Sequence, residues 1–297
     1  MFQPTDHNVD LSEEEFRLLR DLIHERFGLF FDDNQRSSLR SRLTGRLASL
    51  DLQSFEDYYH YLRFGPQRGD ELQRMVTHLT NNETYFYREM PQLQVFAETV
   101  LRSIKEAKSA GPDRTLRVLS AGCSTGEEAY TLAMIIYDSG QFFWNWDVQV
   151  IGMDVDQVAL EKARRAVYHH NSFRSVGPAV KERHFVPAAG AAAQVKEPIR
   201  RMVSFRAGNL VDAASYASLP RLDVVFCRNV LIYFSDAMIL KVVRLFHQAL
   251  APGGYLFLGH AESLSRITDL FTPIRFQGAM VYRKEGPPEA RALPAVS

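Results

Sequence analysis

The sequence predicts a helical bundle followed by a mostly parallel α/β sheet, and two observations carry that fold class. From Leu11 to about Ile104 apolar residues recur at three- and four-residue steps, the period of amphipathic helices. Beyond the connector Lys108-Ser-Ala-Gly-Pro-Asp113, short β-rich apolar runs alternate with helical stretches, the pattern of parallel strands joined by helical crossovers. The 297 residues suffice for about two domains with their own cores.

In the first helix Ser12 and Glu15 make a capping box. Phe16, Leu19, Leu22, Ile23 and Phe27 form its apolar stripe, and Gly28 closes it. A second helix is predicted to start near Asp32-Asp33 and to run through Leu39, Leu43, Leu47 and Leu50. A third covers Phe55 to about Phe64 and stops at Gly65-Pro66; a fourth starts at Asp70 and carries Leu72, Met75, Val76 and Leu79. These make a helical domain over 11–90, followed by a linker helix and connector over 91–114. The α/β domain covers 115–284, with strands predicted at Leu116–Ser120, Val148–Met153, Val203–Phe205, Leu222–Cys227 and Gly254–Leu258. Helices are predicted at Glu128–Tyr137, Gln157–Tyr168 and Ala237–Leu250. Ile274–Phe276 and Ala279–Tyr282 read as a closing hairpin, about 169–201 as an insertion, and the proline- and alanine-rich 285–297 as a disordered tail.

Composition excludes several classes. With 46% hydrophobic and 24% charged residues the chain is not disordered. Thirty-five basic residues balance 35 acidic ones, so bulk attraction to nucleic acid or membrane has no support. Cys123 and Cys227 are too few for a disulfide framework or a thiolate zinc site, and no metal is expected. The start MFQPTDHNVD lacks a basic-then-apolar signal, and no apolar run approaches the roughly 18 residues of a membrane span. A soluble, cytoplasmic protein is expected.

Open α/β sheets bind ligands beyond the carboxyl ends of their strands, so the residues leaving each strand are the candidates. The first strand opens into Ala121-Gly-Cys-Ser-Thr-Gly-Glu-Glu128, where Gly122 and Gly126 let the backbone turn tightly and approach a ligand. Three readings stay open. Gly122-Cys-Ser-Thr-Gly126 fits the G-x-S-x-G elbow of serine hydrolases around Ser124, with Asp223 and His260 following in order. Against this, one strand alone precedes the loop and no HGGG-type segment lies upstream. A nicotinamide site would want G-x-G-x-x-G, which is absent. The third reading is a loop holding a nucleoside-bearing cofactor with a charged amino-acid tail.

The later strands favour the third. The second ends in Gly152-Met-Asp-Val-Asp156, and an ionised Asp154 accepts two hydrogen bonds, as ribose hydroxyls require, while Asp156 caps the next helix. The third ends in Gly208-Asn-Leu210: Asn209 can read an adenine edge and Leu210 pack on its ring, or Asn209 is a plain turn residue. The fourth ends in Cys227-Arg-Asn-Val-Leu-Ile-Tyr-Phe234; Arg228 and Asn229 are costly to bury and so face a site, whereas Tyr233 belongs to it or to the core. This ordered series of glycine loop, acid, amide and Arg-Asn-aromatic matches the adenosylmethionine-dependent methyltransferase fold. Thr80–Glu89 adds a polar and aromatic cluster that overhangs the cofactor mouth or makes an ordinary inter-domain contact.

Four blocks carry a more specific resemblance. Thr-Asn-Asn-Glu-Thr-Tyr-Phe-Tyr-Arg-Glu, Ser-Ala-Gly-Cys-Ser-Thr-Gly-Glu-Glu-Ala-Tyr, Cys-Arg-Asn-Val-Leu-Ile-Tyr-Phe and Pro-Gly-Gly-Tyr-Leu-Phe-Leu-Gly-His-Ala-Glu together resemble the chemotaxis receptor methyltransferase family (CheR), from about Leu11 to Arg283. The resemblance implies an N-terminal helical bundle and a Rossmann-like methyltransferase domain carrying a small inserted subdomain. It implies transfer of methyl from S-adenosylmethionine to glutamates on the cytoplasmic coiled coil of chemotaxis receptors. The products are carboxyl methyl esters and S-adenosylhomocysteine, made by an enzyme recruited to membrane receptor arrays. Carried over by motif, Asn82, Thr84 and Arg88 approach the cofactor and Gly122 lies in its loop. Glu128 holds the methionine ammonium and Asp154 the ribose. Asn209 and Leu210 hold the adenine, and Arg228 and Asn229 line the remaining wall. Arg88 and Tyr233 stand nearest the methyl as the expected catalytic residues. Tyr85 and Ala129 occupy positions where relatives vary.

A partner surface is also legible. Asn34 to Leu50 contains Arg36, Arg40, Arg42 and Arg46 and no acid, with the arginines flanking the leucine stripe. That is either the solvated rim of a packed helix or, consistent with the family, a basic surface for an acidic methylation helix. Relatives that also grip a receptor's tether peptide carry a longer glycine-containing loop in the insertion. Here Val186–Pro198 is alanine-rich with Gly190 its only glycine, so a tether-independent enzyme is expected. Two further accounts stay open: methylation of a different signalling protein, and a cofactor-binding sensor without turnover.

Overall fold

The computed structural model describes residues 9–286, and the chain divides into two compact units. Most of the tail predicted over 285–297 lies outside the described residues. The helical unit comprises the chain up to Asn81 together with Tyr233–Ser235. Helix α1 (Glu13–Phe27) carries the expected capping box and ends at Gly28, whose φ of 77° makes it a left-handed cap. A 3₁₀ turn capped by Asp32 delays α2 (Arg36–Ser49), which buries Leu39, Leu43 and Leu47. Leu50 is the C-cap and only half-buried, because the helix stops before it.

The next helix, α3 (Phe55–Phe64), keeps its predicted bounds, and α4 (Arg68–Leu79) begins at Arg68 rather than Asp70. The inward slot beside Met75, Val76 and Leu79 is taken by Glu71, and Leu72 is half-buried. Tyr233–Ser235 joins this unit through the backbone: Phe30 N donates to Tyr233 O at 2.8 Å, beside a Leu29–Phe234 antiparallel bridge.

The α/β unit opens with a linker helix made of α5 (Met90–Val95), a π-helical turn (Phe96–Val100) and α6 (Leu101–Ser109). Then come β1 (Thr115–Ala121), α7 (Glu127–Asp138), β2 (Asp147–Asp154), α8 (Gln157–Arg165) and β3 (Val167–Tyr168). The insertion continues with α9 (Pro178–His184), β4 (Phe185–Pro187), β5 (Ala193–Val195) and α10 (Glu197–Arg200). The chain closes with β6 (Val203–Ala207), β7 (Leu222–Cys227), α11 (Asp236–Ala249), β8 (Leu250–Leu258), β9 (Thr272–Phe276) and β10 (Ala279–Arg283).

Seven strands form one sheet in the order β6-β2-β1-β7-β8-β10-β9. The first five of that order run parallel, and β10 is antiparallel to both of its neighbours. The order reverses between β1 and β7, so the carboxyl ends of these two strands open the crevice where such sheets take ligands. Beneath it Phe226 stacks on Phe257 with centroids 4.2 Å apart, both fully buried; each such ring contributes roughly 1.5–3 kcal/mol.

Other predicted boundaries move as well. The helix expected to reach Tyr168 stops at Arg165, because Ala166 turns left-handed (φ 55°) and Val167-Tyr168 pair with Ala193-Gln194. The insertion therefore begins at Val167 and is framed by its own antiparallel sheet, β3-β5-β4. The helix expected to reach Leu250 ends at Ala249, and β8 takes over there. Residues 82–90, expected with the helical domain, belong to the α/β unit. The cause is Phe86: fully buried, its ring lies 4.8, 5.5 and 5.0 Å from those of Tyr168, Phe173 and Phe185, and its N–H donates to Ser172 O. Among the described residues no helix is long and apolar enough to cross a membrane.

Candidate cofactor site

The loop after β1 turns on Gly122, with φ 74°, and Gly126, with φ 93°. A Cβ on Gly122 would lie 2.5 Å from Val230 Cγ2, so only glycine lets the loop pass the segment leaving β7. Gly122 N and Cys123 N both donate to Met153 O, at 2.8 and 3.1 Å, which ties the loop to β2. Buried Asp154 completes the tie: Oδ2 accepts from Ser124 N at 2.7 Å and Oδ1 from Asp156 N at 2.8 Å. Burial pushes its carboxyl up, and these amide bonds hold the rise back. A carboxylate has about four acceptor positions, so these amides do not exhaust it, as binding a ribose hydroxyl requires.

Asp156 caps α8 through Oδ1, as expected, and its Oδ2 accepts from Asn82 Nδ2 at 2.8 Å. Asn82 Oδ1 in turn accepts from Ser124 Oγ at 2.9 Å. The segment 82–89 is thus strapped across the ends of β1 and β2.

At the far end of the strap lies a buried cation. Arg228, its side chain 2% exposed, donates from Nε to Glu128 Oε2 at 2.7 Å and from Nη1 to Arg88 O at 2.8 Å. Glu89 Oε2 lies 3.8 Å from the same guanidinium. Burial raises the Glu89 carboxyl, but His260, Arg228 and Asn229 outweigh it and hold the group below the ordinary range. Glu128 shares this guanidinium with Glu89, which also meets His260, so the Glu128 carboxylate is only partly neutralised and is placed to attract a ligand cation. Asn229 (φ 60°) donates Nδ2 to Glu89 at 3.2 Å, and its Oδ1 is buried with no hydrogen-bond partner. A native site rarely leaves such an acceptor unmet, and a ligand N–H or O–H would complete it. Glycine loop, ribose-type acid, cation-balancing acids and bare acceptor therefore fit S-adenosylmethionine.

The remaining expected residues are more loosely defined. Asn209 behaves as a turn residue, donating N–H to Ser215 Oγ and accepting at Oδ1 from Val211 N, with Leu210 buried beside it. Thr84 is half-buried, and Arg88 Nη1 donates to Glu83 O at 3.0 Å. Tyr233 lies in the helical unit, where its hydroxyl accepts from Asn81 Nδ2 at 3.1 Å.

Two readings are corrected. The hydrolase fails because Ser124, Asp223 and His260 are not together. Ser124 Oγ faces Asn82, and His260 Nδ1 pairs with Glu89 at 2.9 Å. Asp223 stands at the start of β7 against Lys108, the opposite end of the parallel sheet from Ser124. On α2, Arg46 is not part of an exposed basic face: Nε and Nη2 donate to Glu71 Oε1 and Oε2 at 2.8 and 2.6 Å. A carboxylate buried on α4 needs that counter-charge. Arg40 donates to Val9 O and Arg42 to Leu79 O, while Arg36 is exposed.

Sequence reasoning gave no role to Glu89 or Glu262, although both stand in the quoted blocks. Glu89 meets Asn229 across 140 positions, a pairing no local pattern announces.

Comparison with known proteins follows the same division. A family model described as the CheR methyltransferase all-alpha domain matches residues 14–80, and one described as the CheR methyltransferase SAM binding domain matches 82–280. Chemotaxis protein methyltransferase 2 of Vibrio cholerae is 35% identical over 94% of this chain and 95% of its own. The chemotaxis protein methyltransferase of Escherichia coli is 34% identical over 92% and 91%, and that of Vibrio parahaemolyticus 32% identical over 93% and 98%. With both domains matched in order, the chain belongs to the CheR methyltransferase family and is an S-adenosylmethionine-dependent methyltransferase.

Proposed function

We propose that the protein methylates glutamate side chains in the cytoplasmic coiled coil of chemotaxis receptors, forming carboxyl methyl esters. The observation that carries the reading is the buried cluster of Arg228, Glu128 and Glu89 with the bare Asn229 Oδ1, in a chain of this family. When bound, S-adenosylmethionine supplies an electrophilic methyl on a sulfonium. Glu128 takes the methionine ammonium, Asp154 the ribose, and Asn209 with Leu210 the adenine. Gly122 admits the backbone close to the cofactor, and Asn82 and Thr84 close it from the strap side. Arg228 and Asn229 form the remaining wall.

Transfer to a carboxylate is an in-line displacement. A glutamate of ordinary pKa, about 4.3, is ionised near neutral pH, so no general base is required. The chain's task is alignment and exclusion of water. Arg88 orients the acceptor; a tight ion pair would quench the nucleophile, so positioning is favoured over clamping. The resemblance to the family assigns Tyr233 to the methyl, its hydroxyl orienting the substrate or its ring steadying the sulfonium. Arg36, Arg40 and Arg42 are the basic side chains offered to an acidic methylation helix. The alanine-rich connection 188–192 between β4 and β5 supports independence from a tether peptide.

Methyl-labelled S-adenosylmethionine and a receptor cytoplasmic fragment test the reading. Label released by alkali as methanol is expected. Alkali-stable label, or no label while the cofactor still binds in a parallel titration, overturns it.

A further inference from the structure

Four backbone N–H groups converge on one carboxylate just beyond β8. Glu262, buried, accepts at Oε2 from Gly259 N at 2.6 Å and Asn229 N at 3.0 Å, and at Oε1 from Val230 N at 2.9 Å and Ile232 N at 3.2 Å. Burial raises its carboxyl, and the four amides hold the rise back. Gly259 is confined by the same arrangement: a Cβ there would lie 2.8 Å from Glu262 Oε2 and 2.9 Å from Asn229 N.

Asn229, Val230 and Ile232 belong to the segment that leaves β7 immediately after Arg228. Apart from a single 3₁₀ turn at Leu231–Tyr233 that stretch has no regular structure to hold it, and Asn229 sits at a positive φ that costs an ordinary side chain free energy. A concave set of amide donors needs an anion, and here the anion is supplied from within the chain. Glu89 acts on the same asparagine from the other side by taking Nδ2, so the orientation of the amide leaves Oδ1 bare.

We propose that Glu262 is a positioning residue for cofactor binding: its carboxylate clasps the backbone of Asn229, Val230 and Ile232, which holds Arg228 against Glu128 and aims Asn229 Oδ1 at the cofactor. The inference rests on the cofactor lying at these strand ends. Glu262 itself touches no reacting atom; it supplies the preorganisation that the loop lacks.

The test is Glu262→Gln, nearly isosteric but with one acceptor oxygen in place of two. S-adenosylhomocysteine affinity is measured by calorimetry, together with Tm and amide hydrogen exchange over 228–232. Asp223→Asn serves as the control. Asp223 is another buried carboxylate of the sheet, bonded to Lys108 and Arg117 N at the end away from the site. Glu262→Gln is expected to raise Kd roughly tenfold or more and to speed exchange in 229–232. Asp223→Asn should lower Tm comparably with Kd unchanged. Wild-type Kd in Glu262→Gln, or an equal rise in Asp223→Asn, overturns the positioning role. Should Glu262→Gln not fold, Glu262→Asp, which keeps the charge but shortens the reach, is expected to give the same rise, and unchanged affinity in it counts against the proposal. Absence of binding by the wild type would instead sink the cofactor site on which the inference stands.

Discussion

Arg46 and Glu71 form a two-pronged ion pair inside the helical unit, with side chains 13% and 2% exposed. The Tyr58 hydroxyl donates to the same carboxylate at 2.8 Å; burial first, then the Glu71 charge, push that phenol far up. The hydrogen bond to Glu71 likewise raises Arg46, so the guanidinium is held charged against the carboxylate. Breaking such a pair strands a buried charge. Arg46→Ala is therefore expected to destabilise the protein by roughly 3 kcal/mol, seen as a fall in Tm.

Arg36→Glu, on the same helix but exposed, should leave Tm unchanged and weaken methylation of an acidic receptor fragment. If Arg46→Ala leaves Tm untouched, the ion pair has no structural role. If Arg36→Glu methylates normally, Arg36 is not part of the docking face.

Arg88 separates chemistry from folding. Its side chain makes an exposed hydrogen bond to Glu83 O, so removing it costs on the order of 1 kcal/mol. Misplacing a reactive carboxylate costs about a hundredfold in rate. Arg88→Ala is expected to lower Tm by no more than a few degrees and to lose turnover by about that factor, with a smaller loss of S-adenosylhomocysteine affinity. Normal turnover refutes the assignment.

The acid limb of stability tests Glu89. Its folded carboxyl is held low: burial raises it, and His260, Arg228 and Asn229 more than reverse that. A lowered folded pKa means that the unfolded chain takes up the proton first as acid is added. The contribution of Glu89 is thus fully present above the ordinary carboxylate range and is lost as pH falls through that range to the lower folded value. The Tm difference between wild type and Glu89→Gln should be greatest near neutrality and close below about pH 4. A difference independent of pH would show that Glu89 gains nothing from its charge.

What was legible in the sequence was what repeats locally. Capping at Ser12 and Gly28, the leucine stripe of α2 and the polar exits of the strands all follow from short-range spacing. Pairings between distant positions were not legible. Arg46 and Glu71 are 25 residues apart, and nothing in the run of arginines marks one of them as internal. Helical spacing from Met75 and Leu79 suits Leu72 as well as Glu71, so periodicity could not choose the acid for the inward slot. Val167-Tyr168 looked like the end of α8 because their partners lie in an alanine-rich stretch with weak strand character. Asp154 announced itself as a two-acceptor carboxylate at a strand exit, and Arg228 as a residue costly to bury at one. Glu262 sits four residues past β8, where a carboxylate is unremarkable until its four amides are seen.

Two glycines give opposite forecasts. Gly45 is interior to α2 and a Cβ there meets nothing within 4 Å, so Gly45→Ala gains helix propensity without strain and should stabilise by about 0.5–1 kcal/mol. Gly122 has φ 74° and a Cβ would meet Val230 Cγ2 at 2.5 Å, so alanine must strain the loop or push Val230 away. Val230 N is one of the donors to Glu262, so that push is carried into the segment bearing Asn229. Gly122→Ala should then lower both Tm and S-adenosylhomocysteine affinity, while Gly45→Ala raises Tm and leaves affinity as it was. Undiminished binding in Gly122→Ala would show that the loop has slack and that its close approach to the β7 exit does not shape the site.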